Sequence, residues 1–424
     1  MSYQRSSLIL TSLVFLALAS TALAASQHFK TIYSFKGGTD GSVPSTLVMD
    51  ATGNLYGTTS SGGGHASSNC FDECGTVFEL SPVSGGWKKK TLYRFTGNAD
   101  GGVPDGGLLL DSSGNLFGVT FSGGIPGCNG NGCGVVFEVS RSGDVWEETV
   151  IYSFTGGRDG GNPTTPLVRD STGRLIGFNS SGGDLLCRCG TIFELTPSGS
   201  SWIESTIYSI AAVTPMWIDP DDRIFTATTN GGNLKGSCKD LGGCGQLLEI
   251  EPIPGGWAAS EIYAFPSSST GWFPQGQIIE DPSGHLFGTT EAATNGYGTV
   301  YEMTYSYPPG WVRNVIHRFN YTKGAFPESG VVQDTAGALY GTTAGGGNPS
   351  CGNGTSGCGV VYKLTPTPVG GWSETVLHQF TGGADGSFPL QLIMDGAGNL
   401  YGPAITGGNT NCNGGCGTVF EVIP

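Results

Sequence analysis

The sequence predicts an all-β protein, a seven-bladed β-propeller of four-stranded antiparallel blades whose ring is closed by the N-terminal strand. Three observations predict it: a high glycine content, a strand motif that recurs seven times, and chain ends that complement one another. Glycine supplies 74 of the 424 residues, which argues against long helices because each glycine in a helix interior costs about 1 kcal/mol. The glycines have no three-residue period, so a collagen helix is excluded as well. A turn-rich β-protein with enough chain for a large core remains.

The first 24 residues have the features of a secretory signal peptide. Arg5 precedes the apolar stretch Leu8–Leu18, and Ala22–Ala24 offers small residues for cleavage. Because this stretch is shorter than a bilayer-spanning helix requires, we expect cleavage after Ala24 rather than an uncleaved membrane anchor. The mature chain, residues 25–424, is expected to form one exported propeller domain without a transmembrane segment.

The mature chain is acidic. The whole sequence has 19 basic and 34 acidic residues, a formal net charge of −15, and loss of Arg5 leaves 18 against 34, or −16. Such a surface repels nucleic-acid phosphates, so DNA and RNA are excluded as partners. A cationic partner, or one without strong charge, fits better.

One strand motif, exemplified by Thr31-Ile-Tyr-Ser-Phe35, recurs along the whole mature chain. Its copies are centred on Tyr33, Tyr93, Tyr152, Tyr208, Tyr263, His317 and His378. The spacings are 60, 59, 56, 55, 54 and 61 residues. A period of this size indicates a repeat architecture in which each copy is one supersecondary unit.

Three further strands recur between these copies, and Leu47–Asp50, Asn54–Thr59 and Gly75–Leu80 exemplify them. Each is short, rich in β-branched and aromatic residues, and bounded by Gly, Asp, Asn or Pro, as strands are. The Asp-x-x-Gly-Asn link between the first two is a tight hairpin turn. Four short antiparallel strands repeated seven times are typical of propeller blades.

The two chain ends predict that the repeats form a ring. The last copy stops at Pro424 without a fourth strand, whereas the first copy begins with an unpaired strand of the fourth type, His28–Phe35. Pairing the two completes a seventh blade and removes two exposed sheet edges, which an open solenoid would retain.

The recurring Gly-Asn-Leu-Tyr-Gly-Thr-Thr and Gly-Thr-Val-Phe-Glu-Leu motifs resemble the GloVer tandem repeat of secreted bacterial proteins. The resemblance covers the mature chain, and the copy Arg223–Thr228 in blade 4 is the most divergent. It implies secretion and a propeller-like repeat fold. The resemblance implies no particular biochemical activity, and it therefore identifies no catalytic residues in this chain.

The cysteines form six local pairs, each in the loop between the second and third strands of a blade. They are Cys70/Cys74, Cys128/Cys133, Cys187/Cys189, Cys238/Cys244, Cys351/Cys358 and Cys412/Cys416. Only blade 5, with Glu291–Gly298 in that loop, has none. In an exported chain an even number of locally paired cysteines indicates disulfides. Zinc is the weaker alternative, because no pair has the two-residue gap of metal knuckles and a site needs four ligands together.

The disulfide loops and the blade-to-blade connections are expected to share one face of the propeller. Four connections carry a Gly-x-x-Asp-Gly sequence with the carboxylates Asp40, Asp100, Asp159 and Asp385. Asp-Gly pairs form turns, and this is the simpler interpretation. The sharper one is a ring of carboxylates for calcium or a cationic ligand, although calcium needs roughly six to eight oxygens gathered closely. Arg158 lies in one of these connections.

Six tryptophans recur at the start of the outermost strand and are expected to pack between blades. Trp217 and Trp272 do not follow that repeat. Trp272 and Phe273 fall in the connection into blade 5, and Tyr297 falls in the loop that lacks cysteines. Because such departures are where a function is grafted onto a repeat, these aromatic residues are candidates for binding a sugar ring or a peptide. The alternative is local packing in place of the missing disulfide.

Two functions are compatible with the sequence. The first is a secreted, non-catalytic binding or scaffold protein with an extracellular glycan or protein as ligand on the disulfide-loop face. The second is a secreted polysaccharide-active hydrolase or lyase, for which the chain offers His65, Arg158 and the loop carboxylates as acid–base groups. Motifs for serine hydrolases, zinc proteases and phosphate loops are absent from the sequence. No cofactor is expected, apart from the calcium alternative.

Overall fold

A computed structural model describes residues 28–70, 73–183, 189–235, 237–240, 242–266, 270–294, 296–308, 310–351 and 357–424. The expected signal peptide therefore lies outside the described residues, and so does Cys187.

The described residues form seven antiparallel sheets arranged as blades around a ring, which confirms the predicted fold. The first strand, β1 (His28–Ser34), belongs to the last blade. Blade 1 comprises β2 (Ser42–Met49), β3 (Leu55–Ser61), β4 (Thr76–Val83) and β5 (Gly86–Arg94). Blade 2 comprises β6 (Leu108–Leu110), β7 (Leu116–Thr120), β8 (Val135–Ser142) and β9 (Val145–Ser153). Blade 3 comprises β10 (Gly161–Pro163), β11 (Val168–Arg169), β12 (Leu175–Ser181), β13 (Thr191–Ser198) and β14 (Ser201–Ser209).

The remaining blades repeat this order from the innermost strand outwards. Blade 4 comprises β15 (Trp217–Ile218), β16 (Ile224–Thr228), β17 (Gly231–Gly232), the helix α1 (Ser237–Asp240), β18 (Gly243–Ile253) and β19 (Gly256–Ala264). Blade 5 comprises β20 (Trp272–Glu280), β21 (Leu286–Ala292), β22 (Thr299–Ser306) and β23 (Gly310–Arg318). Blade 6 comprises β24 (Val331–Gln333), β25 (Leu339–Thr343), β26 (Val360–Pro366) and β27 (Trp372–Gln379). Blade 7 comprises β28 (Ser387–Pro389), β29 (Ile393–Met394), β30 (Leu400–Thr406) and β31 (Thr418–Ile423), with β1 outermost.

Helices are minor elements. Single 3-10 turns occur at Gly38–Asp40, Cys128–Gly130 and Tyr321–Lys323. Across the described ranges, no helix has the length and apolar character needed to cross a bilayer.

The ring closes through β1, as predicted. It pairs antiparallel with β31, from His28 opposite Ile423 to Ser34 opposite Thr418. The register shifts by one residue between Thr31 and Tyr33, and the outermost strand of every other blade shifts at the equivalent place. A strand from the start of the chain thus reproduces the geometry of six covalently connected ones.

The hydrophobic core is divided among seven seams, each defined as the interface between two neighbouring blades. In the seam between blades 7 and 1, Phe35 and Phe78 are fully buried beside Val419. The recurring tryptophans also lie in the seams: Trp87 packs on Tyr401 with ring centroids 5.8 Å apart. Blade stability therefore depends on both neighbours, because each blade alone exposes two apolar faces.

At most interfaces between neighbouring blades, a proline of one blade contacts a glycine of the other. This contact sets how closely the two blades approach each other. Pro44 of blade 1 rests on Gly417 of blade 7, where a Cβ would lie 2.4 Å from the proline Cδ. Gly417 has φ +88°, a left-handed conformation that favours glycine. The residue before the proline, Val43, also has a positive φ of 57°. Phe273, Phe326 and Phe388 stand at the same position of later blades, with φ between 55° and 59°.

Candidate functional site

The disulfide loops lie on one face of the propeller. Each innermost strand runs away from this face, the second strand returns to it, and the fourth ends on it. The second-to-third-strand loops and the blade-to-blade connections therefore lie together, as predicted. We call this surface the disulfide-loop face.

Five of the six predicted disulfides are present among the described residues. They are Cys70–Cys74, Cys128–Cys133, Cys238–Cys244, Cys351–Cys358 and Cys412–Cys416. The sixth, Cys187–Cys189, stays a prediction because Cys187 is outside the described residues.

The disulfides pack on glycines of the adjoining connections. A Cβ at Gly97 would lie 2.7 Å from Cys74 Sγ and 2.8 Å from Cys70 Sγ. Gly37, Gly156 and Gly382 meet the disulfides of their own seams in the same way. Four of the five described disulfides thus shape their own loops and also contact the connection beside them.

Blade 5 replaces this contact with aromatic rings. Tyr321 stands two residues after Phe319, the position that Gly97 holds after Phe95. Its ring centroid is 5.9 Å from that of Tyr297, in the loop that lacks cysteines. The backbone carbonyl of Tyr297 also accepts a hydrogen bond from the backbone N–H of Phe326. Tyr297 therefore packs where the other blades have a disulfide, and its role in binding a ligand stays a prediction.

We expect non-reducing peptide mapping of the exported protein to recover all six local cysteine pairs in oxidised form. Each pair closes a short loop, so complete reduction should lower the free energy of unfolding by roughly 2 kcal/mol or less per disulfide. Denaturant titration with and without a reductant measures this cost. Free thiols throughout, or stoichiometric zinc, would contradict the assignment.

The four predicted loop carboxylates are held within separate seams. Asp159 is buried and accepts hydrogen bonds from Tyr152 Oη at 3.2 Å and from the backbone N–H of Thr155 at 2.8 Å. The same pattern recurs at Asp40, Asp100 and Asp385, the last with His378 in place of tyrosine. Among the residues with described positions, no three His, Cys, Asp or Glu side chains lie close enough to share a metal ion. Each of these carboxylates is thus bonded within its own turn, and a role in binding a cationic ligand stays a prediction.

Each outermost strand carries a variable side chain four residues before the centre of the recurring motif, and in four blades it belongs to the same seam as one of these carboxylates. We call it the seam position; its members are Phe29, Lys89, Glu148, Glu204, Ala259, Arg313 and Glu374. In blade 1, Lys89 Nζ lies 2.6 Å from the Asp40 carbonyl and 3.0 Å from Asp40 Oδ1. Its side chain is only 4% exposed, and the ammonium sits above the rings of Phe35 and Phe78.

Blades 2 and 3 have glutamate at the seam position. Burial, reinforced by repulsion from Asp100, raises the pKa of Glu148 to about 7. Burial and repulsion from Asp159 raise the pKa of Glu204 to about 7 as well. One carboxylate oxygen of Glu148, Oε1, is buried without a hydrogen-bond partner. Two carboxyl groups that compete for one seam are therefore destabilising when both are ionised.

Two of the candidate aromatic residues begin an innermost strand instead of lying in the connection. Trp272 and Phe273 open β20, with ring centroids 6.4 Å apart. Phe273 follows the repeat, because Phe326 and Phe388 are its counterparts. Trp272 departs from it, since the other six blades have Ser, Gly or Ala there. It is partly exposed and packs against the cluster that contains Cys238 and Cys244.

The innermost strands enclose a central channel with a volume of about 630 Å³. Trp217 lines it in blade 4, and its ring lies 5.8 Å from that of Phe225. The other six blades present aliphatic side chains at the same position: Val48, Leu109, Val168, Ile279, Val332 and Ile393. Trp217 and Trp272 flank the same buried cluster, whereas Arg158 lies apart, exposed in the connection between blades 2 and 3.

Glu328, a carboxylate at the channel, and its counterpart Asp105 were not singled out from the sequence. Glu328 lines the channel, and burial together with repulsion from Glu291 raises its pKa. Asp105 holds the equivalent place in blade 2, and burial raises its pKa also. Each directly follows a proline that lies four residues before its innermost strand, and an acidic residue at that place is the signal that would have identified them.

Comparisons with known proteins agree with this architecture. Residues 20–245 match the model of the Gloeobacter/Verrucomicrobia repeat, which confirms the resemblance seen in the sequence. Among curated proteins, none matches the chain.

Three solved structures with similar folds illustrate the range of propellers. A fungal alcohol oxidase of the AA5 family, in complex with copper, is 12% identical with a TM-score of 0.57, covering 93% of this chain and 76% of that chain. The extracellular domain of a hybrid two-component system from B. thetaiotaomicron is 12% identical with a TM-score of 0.53. The match covers 92% of this chain and 39% of that chain. PorZ, a surface component of the type-IX secretion system of Porphyromonas gingivalis, is 12% identical with a TM-score of 0.50, covering 92% and 47%. At such identities the likeness concerns the fold alone.

Proposed function

The chain belongs to the Gloeobacter/Verrucomicrobia repeat family, and on that premise we propose that it is a secreted, non-catalytic binding protein. Its ligand is an extracellular glycan or protein, bound on the disulfide-loop face at blades 4 and 5. The observation that carries this proposal is Trp272, a partly exposed tryptophan at a position that is small in the six other blades.

Support for secretion comes from the signal-peptide sequence and from the disulfides. Five disulfides in one chain are typical of proteins that mature in an oxidising compartment. The N-terminal Arg5 and the apolar stretch Leu8–Leu18 supply the export signal.

Support for a site at blades 4 and 5 comes from the shape of the rim. Eight residues, 36–43, separate Phe35 from Pro44, whereas only Ala211 and Ala212 separate Ile210 from Val213. The connection into blade 4 therefore lacks the glycine-rich loop of the four connections that carry Asp40, Asp100, Asp159 and Asp385. This short connection enters blade 4, one of the two blades that form the buried cluster against which Trp272 packs.

Support for a non-catalytic role comes from the position of the titratable groups. Glu148 and Glu204 have pKa values raised to about 7, as acid catalysts often do. They occupy a repeat position at which other blades carry Lys89, Arg313 or Phe29, in seams rather than in a cleft. Their shifted pKa values are accounted for by packing.

The test is binding of a panel of plant and microbial polysaccharides, together with a check for turnover. We expect Trp272→Ala to weaken binding by roughly 1–3 kcal/mol, the range of an interface anchor, with little change in stability. Trp311→Ala is the matched control, because Trp311 is one of the six tryptophans that recur at the start of the outermost strand, and its loss should lower stability instead. Unfolding of the Trp272→Ala protein to the same extent as the control would make Trp272 a core residue, and turnover of any polysaccharide would refute a non-catalytic role.

A further inference from the structure

The interior of the central channel is apolar at the level of Trp217, on the innermost strand of blade 4. All seven blades contribute lining residues, and the channel volume of about 630 Å³ lies within the range of roughly 300–1,000 Å³ that small-molecule sites occupy. The six other blades present Val, Leu or Ile at this level, and all of these side chains except Val168 remain partly exposed. An apolar ligand in the channel would remove this apolar surface from water on every side.

The charged residues of the channel lining occupy other positions than this level. Arg169 pairs with Asp111 at 3.5 Å, and Glu328 is exposed, ahead of the innermost strand of blade 6. Within the described part of the chain, Arg169 and Glu328 are the two charged residues that line the channel. A charged group of a ligand at the level of Trp217 would lose its hydration without a counter-ion at the same level. The lining therefore favours a neutral ligand.

An uncharged polar group lies beside Trp217. Gln277 of blade 5 lines the channel, and its Nε2 donates to the backbone carbonyl of Met216 at 2.9 Å. Met216 directly precedes Trp217, so this bond holds the amide next to the tryptophan across the interface of blades 4 and 5. Because the amide nitrogen is committed to Met216, the amide oxygen is the atom that can accept a hydrogen bond from a ligand. Gln391 holds the equivalent place in blade 7, but its neighbour in blade 6 is Val332.

We propose that the central channel binds a neutral, largely apolar small molecule that carries an aromatic ring and a hydroxyl group. The ring lies against Trp217, the one aromatic residue among the described residues of the lining. Aromatic pairs in offset or edge-on contact gain more than the area they bury. The hydroxyl group donates to Oε1 of Gln277. This site goes beyond the rim site proposed above and does not depend on it, because the two ligands occupy different parts of the propeller.

The experiment is calorimetry of the mature protein with four probes that share a naphthalene ring. Two are neutral, 1-naphthylmethanol and 1-methylnaphthalene, and two are charged, 1-naphthylmethylamine and 1-naphthoate. Both neutral probes should bind at least about tenfold more tightly than either charged probe, because only the charged probes lose the hydration of an ion in the channel. Charged probes that bind as tightly as the neutral ones would refute the selection of a neutral ligand.

Two variants test the contacts of the ring and of the hydroxyl group. Trp217→Leu gives blade 4 an aliphatic side chain like those of the other blades, and it should weaken both neutral probes about two- to tenfold. Gln277→Met removes the amide at similar volume. It should weaken 1-naphthylmethanol about two- to tenfold and leave 1-methylnaphthalene within about twofold. An equal effect of Gln277→Met on both probes would refute the hydrogen bond to the hydroxyl group.

A matched pair of tryptophan insertions locates the probe in the channel. Leu109→Trp fills the channel from blade 2 and should abolish binding. Val145→Trp adds the same side chain on an outer strand, where the native residue is 58% exposed, and should leave every probe unaffected. Thermal melting shows whether each variant keeps the fold of the parent. Absence of binding to the parent, or binding that survives both Trp217→Leu and Leu109→Trp in proteins that melt like the parent, would refute the channel site.

Discussion

A protein that begins at residue 36 is expected to aggregate or to lose its cooperative thermal transition. Removing residues 25–35 deletes β1, which supplies the outermost strand of blade 7. The deletion leaves β31 as an unpaired edge. It also removes Phe35, which is fully buried, and Phe29, which stacks on His378 with ring centroids 3.5 Å apart. Calorimetry and light scattering of the truncated protein check this result.

A circular permutant is the matched control for the truncation. Because His28 lies opposite Ile423 in the antiparallel pair, a short turn can join Pro424 to residue 28. New termini would then fall in the connection between β1 and β2. This protein contains the same contacts and should melt cooperatively like the parent. A truncated protein that melts as the parent does would refute the closed ring.

Replacing the seam glutamates is expected to stabilise the protein at neutral and alkaline pH. The folded state raises the pKa of Glu148 and of Glu204 from 4.5 to about 7, so folding favours their protonated forms. Their stabilising contribution is complete below pH 4.5 and is lost as the pH rises through 7. Glu148→Gln remains neutral at every pH, and at pH 8 it should raise the free energy of unfolding by about 1–2 kcal/mol after allowance for partial exposure.

Urea unfolding of the parent and the variant at pH 5 and at pH 8 measures this effect. A stability gain that is larger at pH 8 than at pH 5 identifies charge repulsion as its cause. The free energy of unfolding of the variant should exceed that of the parent by more at pH 8 than at pH 5. The double variant Glu148→Gln, Glu204→Gln should gain the sum of the two single gains in this free energy, because the two seams are separate. Glu147→Gln, on the exposed side of the same strand, should change neither value. A gain of equal size at both pH values would mean that charge repulsion in the seam is not its source.

The repeat made the blades predictable, but it concealed the differences between equivalent positions. The period of 54–61 residues and the alternation within each strand determine the number of blades and the strand order. The cysteine spacing identified the disulfide loops for the same local reason. Glu328 was missed, because its importance depends on lining the channel, which forms only when all seven blades come together.

The candidate aromatic residues show the same limit of what the sequence predicts. That Trp272 breaks the repeat is visible in the sequence, whereas its place at the start of β20, beside Cys238–Cys244, follows from the packing of blades 4 and 5. The sequence likewise could not show that Tyr297 packs on Tyr321 where other blades have a disulfide and a glycine.

By itself, then, the sequence determined the fold class, the seven blades, the closing strand and the cysteine pairs, because hydrophobic alternation, turn residues and short cysteine spacings are local properties of the chain. Only the tertiary structure decided that Asp40 and its counterparts are bonded within separate seams, that Lys89 and Glu148 stand at equivalent places with opposite charge, and that seven innermost strands enclose an apolar channel. These features arise where neighbouring blades meet. The burial and the charge of a side chain there depend on residues some 40 to 60 positions away, which no local pattern records.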